Sequence, residues 1–481
     1  WVQLDLGQLY PVSSIVVHGR TGFSERMNGA TIYASSENIA SISNDQLNTK
    51  IVNIALIHDI AATQGVSNSF TLNGFSSINN ITATETVSGL SNSSNATVIN
   101  GTSGNDTITS GSGNGSIAST SGDDFIFGSM GDDILDGGGG SDHIQGGEGS
   151  DLINGGSGDD FITGGQGSDT IDGGTGYDMI SYRNFDYQNQ SRPPNVVVDV
   201  NLSTEIATDN WGNTDTLLSI EAVEGSDFND SIVGSTGNEF LFGSQGNDTI
   251  TGGGGSDHLQ GGEGSDSITG GSGDDFISGD QGNDILIGGG GSDHIQGGEG
   301  SDLITAVGAG DNFLSGDQAN DSISGGDGSD NIQGGDGDDS IKGGSGDDFI
   351  SGGAGIDTLT GGNGNDIFAL NLGSQSISSS NVTDVITDFA RGPDKIDFGI
   401  SSSVIQFVSQ TSVVSNLAAL LTTVNGINDT APNKTDGKIL FYFGVVASDG
   451  YLVTEDDAGV INNIIKLSGV GTIASTDIVG I

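Results

Sequence analysis

The chain has 481 residues, more than one ordinary domain needs, and an unusual balance of 85 Gly, 11 Lys+Arg and 64 Asp+Glu, giving a net charge of -53. That acidity excludes nucleic acid and anionic membrane surfaces as partners, since like charges repel, and it opposes compaction unless cations neutralise it. No cysteine is present, so disulfides and thiolate metal sites are excluded, and no apolar run is long enough for a transmembrane helix.

Residues 1–75 read as short strands of alternating apolar and polar residues separated by Gly/Pro turns: WVQLDLGQLY, VSSIVVHGR and MNGATIYAS. The segments Trp1–Gly7, Pro11–Ile15 and Arg26–Ala30 resemble the discoidin, or fucolectin-like, galactose-binding family. The resemblance implies a partial jelly-roll β-sandwich and makes Arg20 and Arg26 candidate sugar contacts. The alternative is that both arginines are ordinary surface charges. The chain opens at Trp1 without a signal peptide, and the expectation is a fragment or processed product of a longer protein. Residues 76–100 are Ser/Asn/Thr-rich and are expected to form an irregular linker; Asn80 and Asn92 open Asn-x-Ser/Thr triplets of no assigned function.

From Gly101 the chain is an array of nine-residue units, G-G-x-G-x-D-x-U-x, with U a large aliphatic. Residues 101–181 hold nine units, 225–305 another nine, and 307–369 seven, with Ala306 inserted, for 25 units in all. The eighth position is Ile or Leu throughout, from Ile108 to Leu359, until Phe368 closes the array. One large inward residue per unit cannot make a core alone, so units must stack on one another. The tripeptide x-U-x reads as a three-residue strand and the hexapeptide G-G-x-G-x-D as a turn; two such units make an 18-residue coil. This pattern resembles the RTX, or hemolysin-type, repeat family. The resemblance implies an all-β fold, a right-handed parallel β-roll in two blocks, with the N-terminal partial sandwich before it and a C-terminal β cap after it.

The sixth position is Asp in 22 of the 25 units; Gly115, Glu239 and Asn312 are the exceptions. Carboxylates one coil apart stack at a strand spacing of about 4.8 Å, a column of like charges that requires cations. Calcium fits best, because it accepts six to eight oxygens and takes backbone carbonyls, while magnesium demands a tighter octahedron. The candidate ligands in the first block are Asp106, Asp124, Asp133, Asp142, Asp151, Asp160, Asp169 and Asp178. In the second they are Asp230, Asp248, Asp257, Asp266, Asp275, Asp284, Asp293, Asp302, Asp321, Asp330, Asp339, Asp348, Asp357 and Asp366. Roughly 20 calcium ions could be held by an array of this length, folding it as they bind. Lys342 is the only Lys or Arg in either block.

Stepping by one coil along the seventh position gives Phe125, His143, Phe161 and Met179 in the first block, and Phe240, His258, Phe276, His294, Phe313, Asn331 and Phe349 in the second. Stacking of these rings along one face is expected. His258 and His294 stand two coils apart, about 9–10 Å, with Phe276 between them, which disfavours a shared transition-metal site; a partner surface along the exposed stripe is the alternative to simple stacking.

Residues 182–224 break the period and form an insert, with a strand in 195–202 and a return through 215–225. Residues 370–481 carry bulkier strands, Asp384–Phe389, Asp394–Phe398 and Lys438–Phe443, suited to cap the last coil. The closing Ile465–Gly469 and Asp477–Val479 segments resemble the C-terminal region of RTX proteins exported by type I secretion, which implies that machinery as a partner. No nucleophile elbow, zincin helix, P-loop or dinucleotide fingerprint is present, and no catalytic role is expected. The reading is a secreted, non-enzymatic calcium-binding protein, an adhesin or surface or matrix component with carbohydrate or cell surface as partner. The alternative is the non-catalytic C-terminal part of a larger secreted enzyme or toxin of protease, lipase or epimerase type.

Overall fold

The computed structural model describes residues 97–183 except 102, 111 and 112, and residues 197–370. Before these it describes 31–34, 42–43, 52–56, 69–70, 72–73, 78–82 and 86–87; after them, 384–390, 393–398, 405–414, 439–446, 448–455, 461–470, 472–473 and 477–479. All the elements are β-strands; no helix long and apolar enough to cross a membrane occurs among the described residues. The chain divides into two compact units, residues 1–232 and 233–481.

In the first unit, each coil contributes one strand to each of two parallel sheets. Gly115–Ala118, Ile134–Gly139, Leu152–Ser157 and Thr170–Thr175 pair in one sheet; Thr107–Thr109, Phe125–Met130, His143–Glu148, Phe161–Gln166 and Met179–Ser181 pair in the other. Every partner lies 18 residues on, as Ile144 against Ile162 and Ile153 against Ile171. The register therefore stacks each eighth-position residue on the same residue of the next coil. Ile108, Ile126, Ile144, Ile162 and Ile180 are wholly buried, and so are Ile153 and Ile171, so the two ladders of aliphatic side chains form the core between the sheets.

The second unit repeats this plan, with strands from Phe240–Gln245 to Ile367–Ala369 in one sheet and from Thr249–Gly254 to Thr358–Asn363 in the other. Ala306 is absorbed between coils: Ile295 pairs with Leu314 and Ile304 with Ile323, each 19 residues on, and the aliphatic ladder does not slip. The strand at this point shortens to Leu303–Thr305, because Ala306 and Val307 replace the glycines that continue it elsewhere.

The strands are longer and the turns shorter than the nine-residue motif suggests. A typical strand, His143–Glu148, runs six residues through G-G-x, and only positions four to six remain as turn. The ladder continues because the second glycines pair across coils, as Gly147 with Gly165. Those glycines have positive φ, +118° at Gly147 and +104° at Gly165, and a side chain at Gly147 would collide with the Ser129 carbonyl of the preceding coil.

The insert is a short antiparallel excursion, Asp199–Asn201 on Ile206–Thr208 on Thr214–Leu218, whose last strand rejoins the first sheet parallel to Thr170–Thr175. At the C-terminal end, Val385–Ile386 and Lys395–Asp397 extend the two sheets, and Ile461–Leu467 and Ile478–Val479 pair onto them in turn. An antiparallel set, Ile439–Val446, Asp449–Glu455 and Ile461–Leu467, continues the sheet that Val385–Ile386 extends.

The N-terminal region departs from the sandwich and linker expectations. Thr31–Ala34, Val52–Leu56, Ile78–Thr82 and Thr97–Asn100 pair successively in parallel and lead into Gly115–Ala118. Ser69–Phe70 and Thr86–Val87 do the same on the other sheet. A jelly roll is antiparallel, so these pairings give the discoidin-like sandwich no support. They follow because a parallel edge strand offers unpaired N–H and C=O groups that the preceding segment satisfies. Arg20 and Arg26, with the strands expected before Thr31, lie outside the described residues.

Candidate calcium sites

All 22 sixth-position aspartates are buried, none more than 3% exposed. The fold stacks them in two columns per block, one at each edge of the roll. Each column is stitched by one recurring bond, in which the backbone N–H of one Asp donates to Oδ1 of the Asp in the next coil. It runs from Asp106 through Asp124, Asp142 and Asp160 to Asp178 at 2.6–2.9 Å, and from Asp133 through Asp151 to Asp169 at 2.8 Å. In the second unit it runs from Asp248 through Asp266, Asp284, Asp302, Asp321 and Asp339 to Asp357 at 2.7–3.0 Å. The column of Asp257, Asp275, Asp293, Asp330, Asp348 and Asp366 is bonded in the same way, with Glu239 at its head and Asn312 within it.

The second oxygen is left over. Oδ2 of Asp142, Asp151, Asp160, Asp266, Asp284, Asp339 and the equivalent residues of most other coils is buried without a hydrogen-bond partner. An orphaned buried carboxylate oxygen is costly and requires a compensating partner. Its surroundings say which kind. A methyl group placed on Gly137 would strike Asp142 Oδ2 and the Gly155 carbonyl oxygen, and the same pair of atoms surrounds Gly146, Gly252, Gly270 and Gly334 in their own coils. The first-position glycine thus leaves room for a small cradle between a carboxylate oxygen of one coil and a carbonyl oxygen of the next. Both are acceptors, so a proton or a cation must lie between them.

The carboxylates register this want. Burial pushes Asp133, Asp151, Asp284 and Asp348 up to about 7, with neighbouring aspartates adding to the rise and the backbone N–H opposing it. Asp142 and Asp266 are raised to about 6 for the same principal reason. Among the described residues no three carboxylate or imidazole side chains converge on one point. The cradles are built from a carboxylate and backbone carbonyls, a hard-oxygen set that suits calcium and offers nothing to a soft metal.

The expected Asp230 is differently placed. Its Oδ1 accepts from Val198 N–H at 3.0 Å and from the Ser226 hydroxyl at 2.9 Å, and its Oδ2 from Ser226 N–H, so the chain satisfies both oxygens.

Four acidic residues outside the regular array join the columns. Asp215 accepts from Asp169 N–H at 2.9 Å, Glu221 from Asp178 at 3.0 Å, Asp384 from Asp357 at 3.3 Å and Asp394 from Asp366 at 3.3 Å. Their signal in the sequence is an acid two residues before an aliphatic, as in Asp215-Thr216-Leu217 and Asp384-Val385-Ile386, with the glycine turn missing. Asp215 is buried beside Asp169 and Asp209, which lifts it to about 8, and its Oδ2 accepts from the Tyr182 hydroxyl at 3.4 Å.

The seventh-position rings form two stacks. Phe125, His143 and Phe161 lie 5.5 and 4.9 Å apart, and Phe240, His258, Phe276, His294 and Phe313 follow one another at 4.6–5.1 Å. Burial among these rings lowers the pKa of His143 and His258.

The RTX calcium-binding nonapeptide repeat family matches residues 93–114, 110–144, 145–180, 224–259, 251–286, 278–306, 307–341 and 342–374. No curated protein matches. Among solved structures, the extracellular lipase LipA from Serratia marcescens aligns over 81% of this chain at 16% identity and a TM-score of 0.11. The aligned part is 40% of the lipase chain, and a TM-score this low carries no argument. The nonapeptide blocks of this all-β chain are RTX calcium-binding repeats, stacked as a parallel β-roll, and Ca2+ is the cofactor of these repeats.

Proposed function

We propose that the sixth-position aspartates whose Oδ2 is orphaned hold calcium through that oxygen, together with the first-position glycine carbonyl of the following coil, and that this binding folds the roll. The observation behind the reading is the buried Oδ2, which has no partner and faces only another acceptor. Calcium supplies the positive charge that this cradle lacks. The chain's own part is to fix one carboxylate oxygen with a backbone N–H, aim the other, and exclude side chains from the gap with glycine.

RTX repeat proteins are generally secreted, and millimolar extracellular calcium suits sites that assemble only when filled. The protein serves in this reading as a non-catalytic adhesin or as a surface or matrix component, reaching the outside by type I secretion. The same roll would equally serve as the non-catalytic part of a larger secreted enzyme or toxin, and the reading frame on either side of the chain separates the two. Circular dichroism during calcium titration, with EDTA reversal, tests the central claim. Strand signal should rise cooperatively with calcium and collapse on chelation; a signal indifferent to both would refute it.

A further inference from the structure

Most turns place only acceptors around the cradle, but at a few a donor of the chain stands there: beside Asp230, as described above, at Ser110, whose hydroxyl donates to the Gly128 carbonyl in a unit with no sixth-position carboxylate, and at Asn312 and Asp124. Asn312 occupies a sixth position. Its Oδ1 accepts the Asp293 N–H at 2.9 Å, the bond that recurs along the columns, and this sets which way the amide faces. Nδ2 therefore takes the place of the orphaned Oδ2. It donates to the Gly310 carbonyl at 2.9 Å, to the Gly325 carbonyl at 3.4 Å and to Asp330 Oδ1 at 2.8 Å. Gly325 stands to Asn312 as Gly155 stands to Asp142, so the oxygens around the amide are those of a cradle.

The second case reaches the same end from the other side of the gap. Ser119 holds the first position of its unit, where most units have glycine, and its hydroxyl donates to Asp124 Oδ2. Asp124 is accordingly absent from the run of aspartates with an orphaned Oδ2, which in its own column begins at Asp142. In both turns a partly positive N–H or O–H fills the space and meets the acceptors that a cation meets elsewhere. The Asn312 amide nitrogen has no lone pair to offer a cation, and the Ser119 hydroxyl, bonded to Asp124 Oδ2, occupies the volume that glycine leaves open elsewhere, so in each turn the chain's own group takes the ion's place.

We propose that the steps at Ser119 and Asn312 take no calcium, being closed by the chain's own donors. The column of ions in each unit is then interrupted at a defined coil, and that coil keeps its stacking contact when calcium is scarce. Such a coil provides a metal-independent place from which ordering of its neighbours can propagate, as nearest-neighbour repeat stacking requires a first paired step.

This inference rests on the reading that orphaned Oδ2 atoms bind calcium, and the experiment separates the two. Native mass spectrometry of the full chain at saturating calcium resolves single bound ions in N312D, S119G and D339N. N312D restores an Oδ2 and S119G restores the glycine of the motif, so each variant should hold one calcium more than the parent. D339N should hold one fewer. If D339N loses an ion while N312D and S119G both keep the parent number, the closed steps are disproved and the aspartate reading stands. If D339N loses none, the aspartate reading itself fails. S119G introduces no charge and decides the matter independently of N312D. An N312D chain that fails to fold at saturating calcium also counts against the proposal, since it carries the residue found in the coils on either side.

Discussion

The backbone N–H of Asp142 donates to Oδ1 of Asp160, one coil further on, at 2.8 Å, while Oδ2 of Asp160 has no partner. One carboxylate thus does two things: it joins adjacent coils and it leaves an oxygen for a cation. The two roles separate by substitution. D160N keeps an Oδ1 for the Asp142 N–H and should lose one bound calcium with a modest fall in stability. D160A also strands that N–H and should cost about 1–3 kcal/mol more, read from denaturant melts at saturating calcium. Equal losses for both variants would show that the inter-coil bond contributes nothing.

The raised carboxylates give a pH dependence whose sign differs between the metal-free and calcium-loaded chains. A carboxylate shifted up on folding, such as Asp151 or Asp284 at about 7 against an ordinary 3.8, favours the metal-free roll when protonated. That stabilisation is full below the unfolded pKa and is lost as pH rises through about 6–7. Calcium needs the ionised form, so its affinity should weaken as pH falls through the same window, and binding at pH 6.5 should release protons. Calorimetry in buffers of different ionisation enthalpy measures the release; none detected at pH 6.5 would contradict the assignment.

Ile153 is fully buried, stacked between Leu135 and Ile171 in register. I153A should cost roughly 2–5 kcal/mol, the usual range for an emptied aliphatic site in a core. Because coils contact only their neighbours, the loss should raise the calcium midpoint for the first unit more than for the second. Hydrogen exchange resolved along the chain distinguishes the two units.

Gly264 has φ of +141°, and a side chain there would collide with the Gly246 carbonyl of the preceding coil. G264A should cost more than the roughly 1–2 kcal/mol of a left-handed alanine, because the carbonyl cannot move without breaking its own coil. A shift of the calcium midpoint by less than twofold would mean that the turn relaxes freely.

Phe276 stacks between His258 and His294 at 4.6 and 5.0 Å. F276S removes both contacts and should destabilise the second unit by about 1–3 kcal/mol, at 0.5–1.5 kcal/mol for each aromatic pair. The pKa of His258 should return toward its ordinary value as the ring becomes hydrated, which NMR titration detects.

What the sequence determined by itself is the coil. A large apolar residue at the eighth position of each unit and Asp at the sixth of nearly all leave one way to bury the first and stack the second, and Ile144 on Ile162 and Asp142 beneath Asp160 follow from that period alone. The Phe/His ladder was equally legible, because a step of 18 residues places Phe240, His258 and Phe276 side by side. Tertiary structure decided whatever depends on bonds between coils. It separated Oδ1 from Oδ2, lengthened the strands through the glycines, and put Tyr182 on Asp215. It also drew Asp215 and Glu221 into the columns across gaps of 46 and 43 residues, where no period points to them. The parallel pairing of Thr31–Ala34 with Val52–Leu56 belongs with these, since alternating apolar and polar residues suit either strand direction and only the edge they meet selects one.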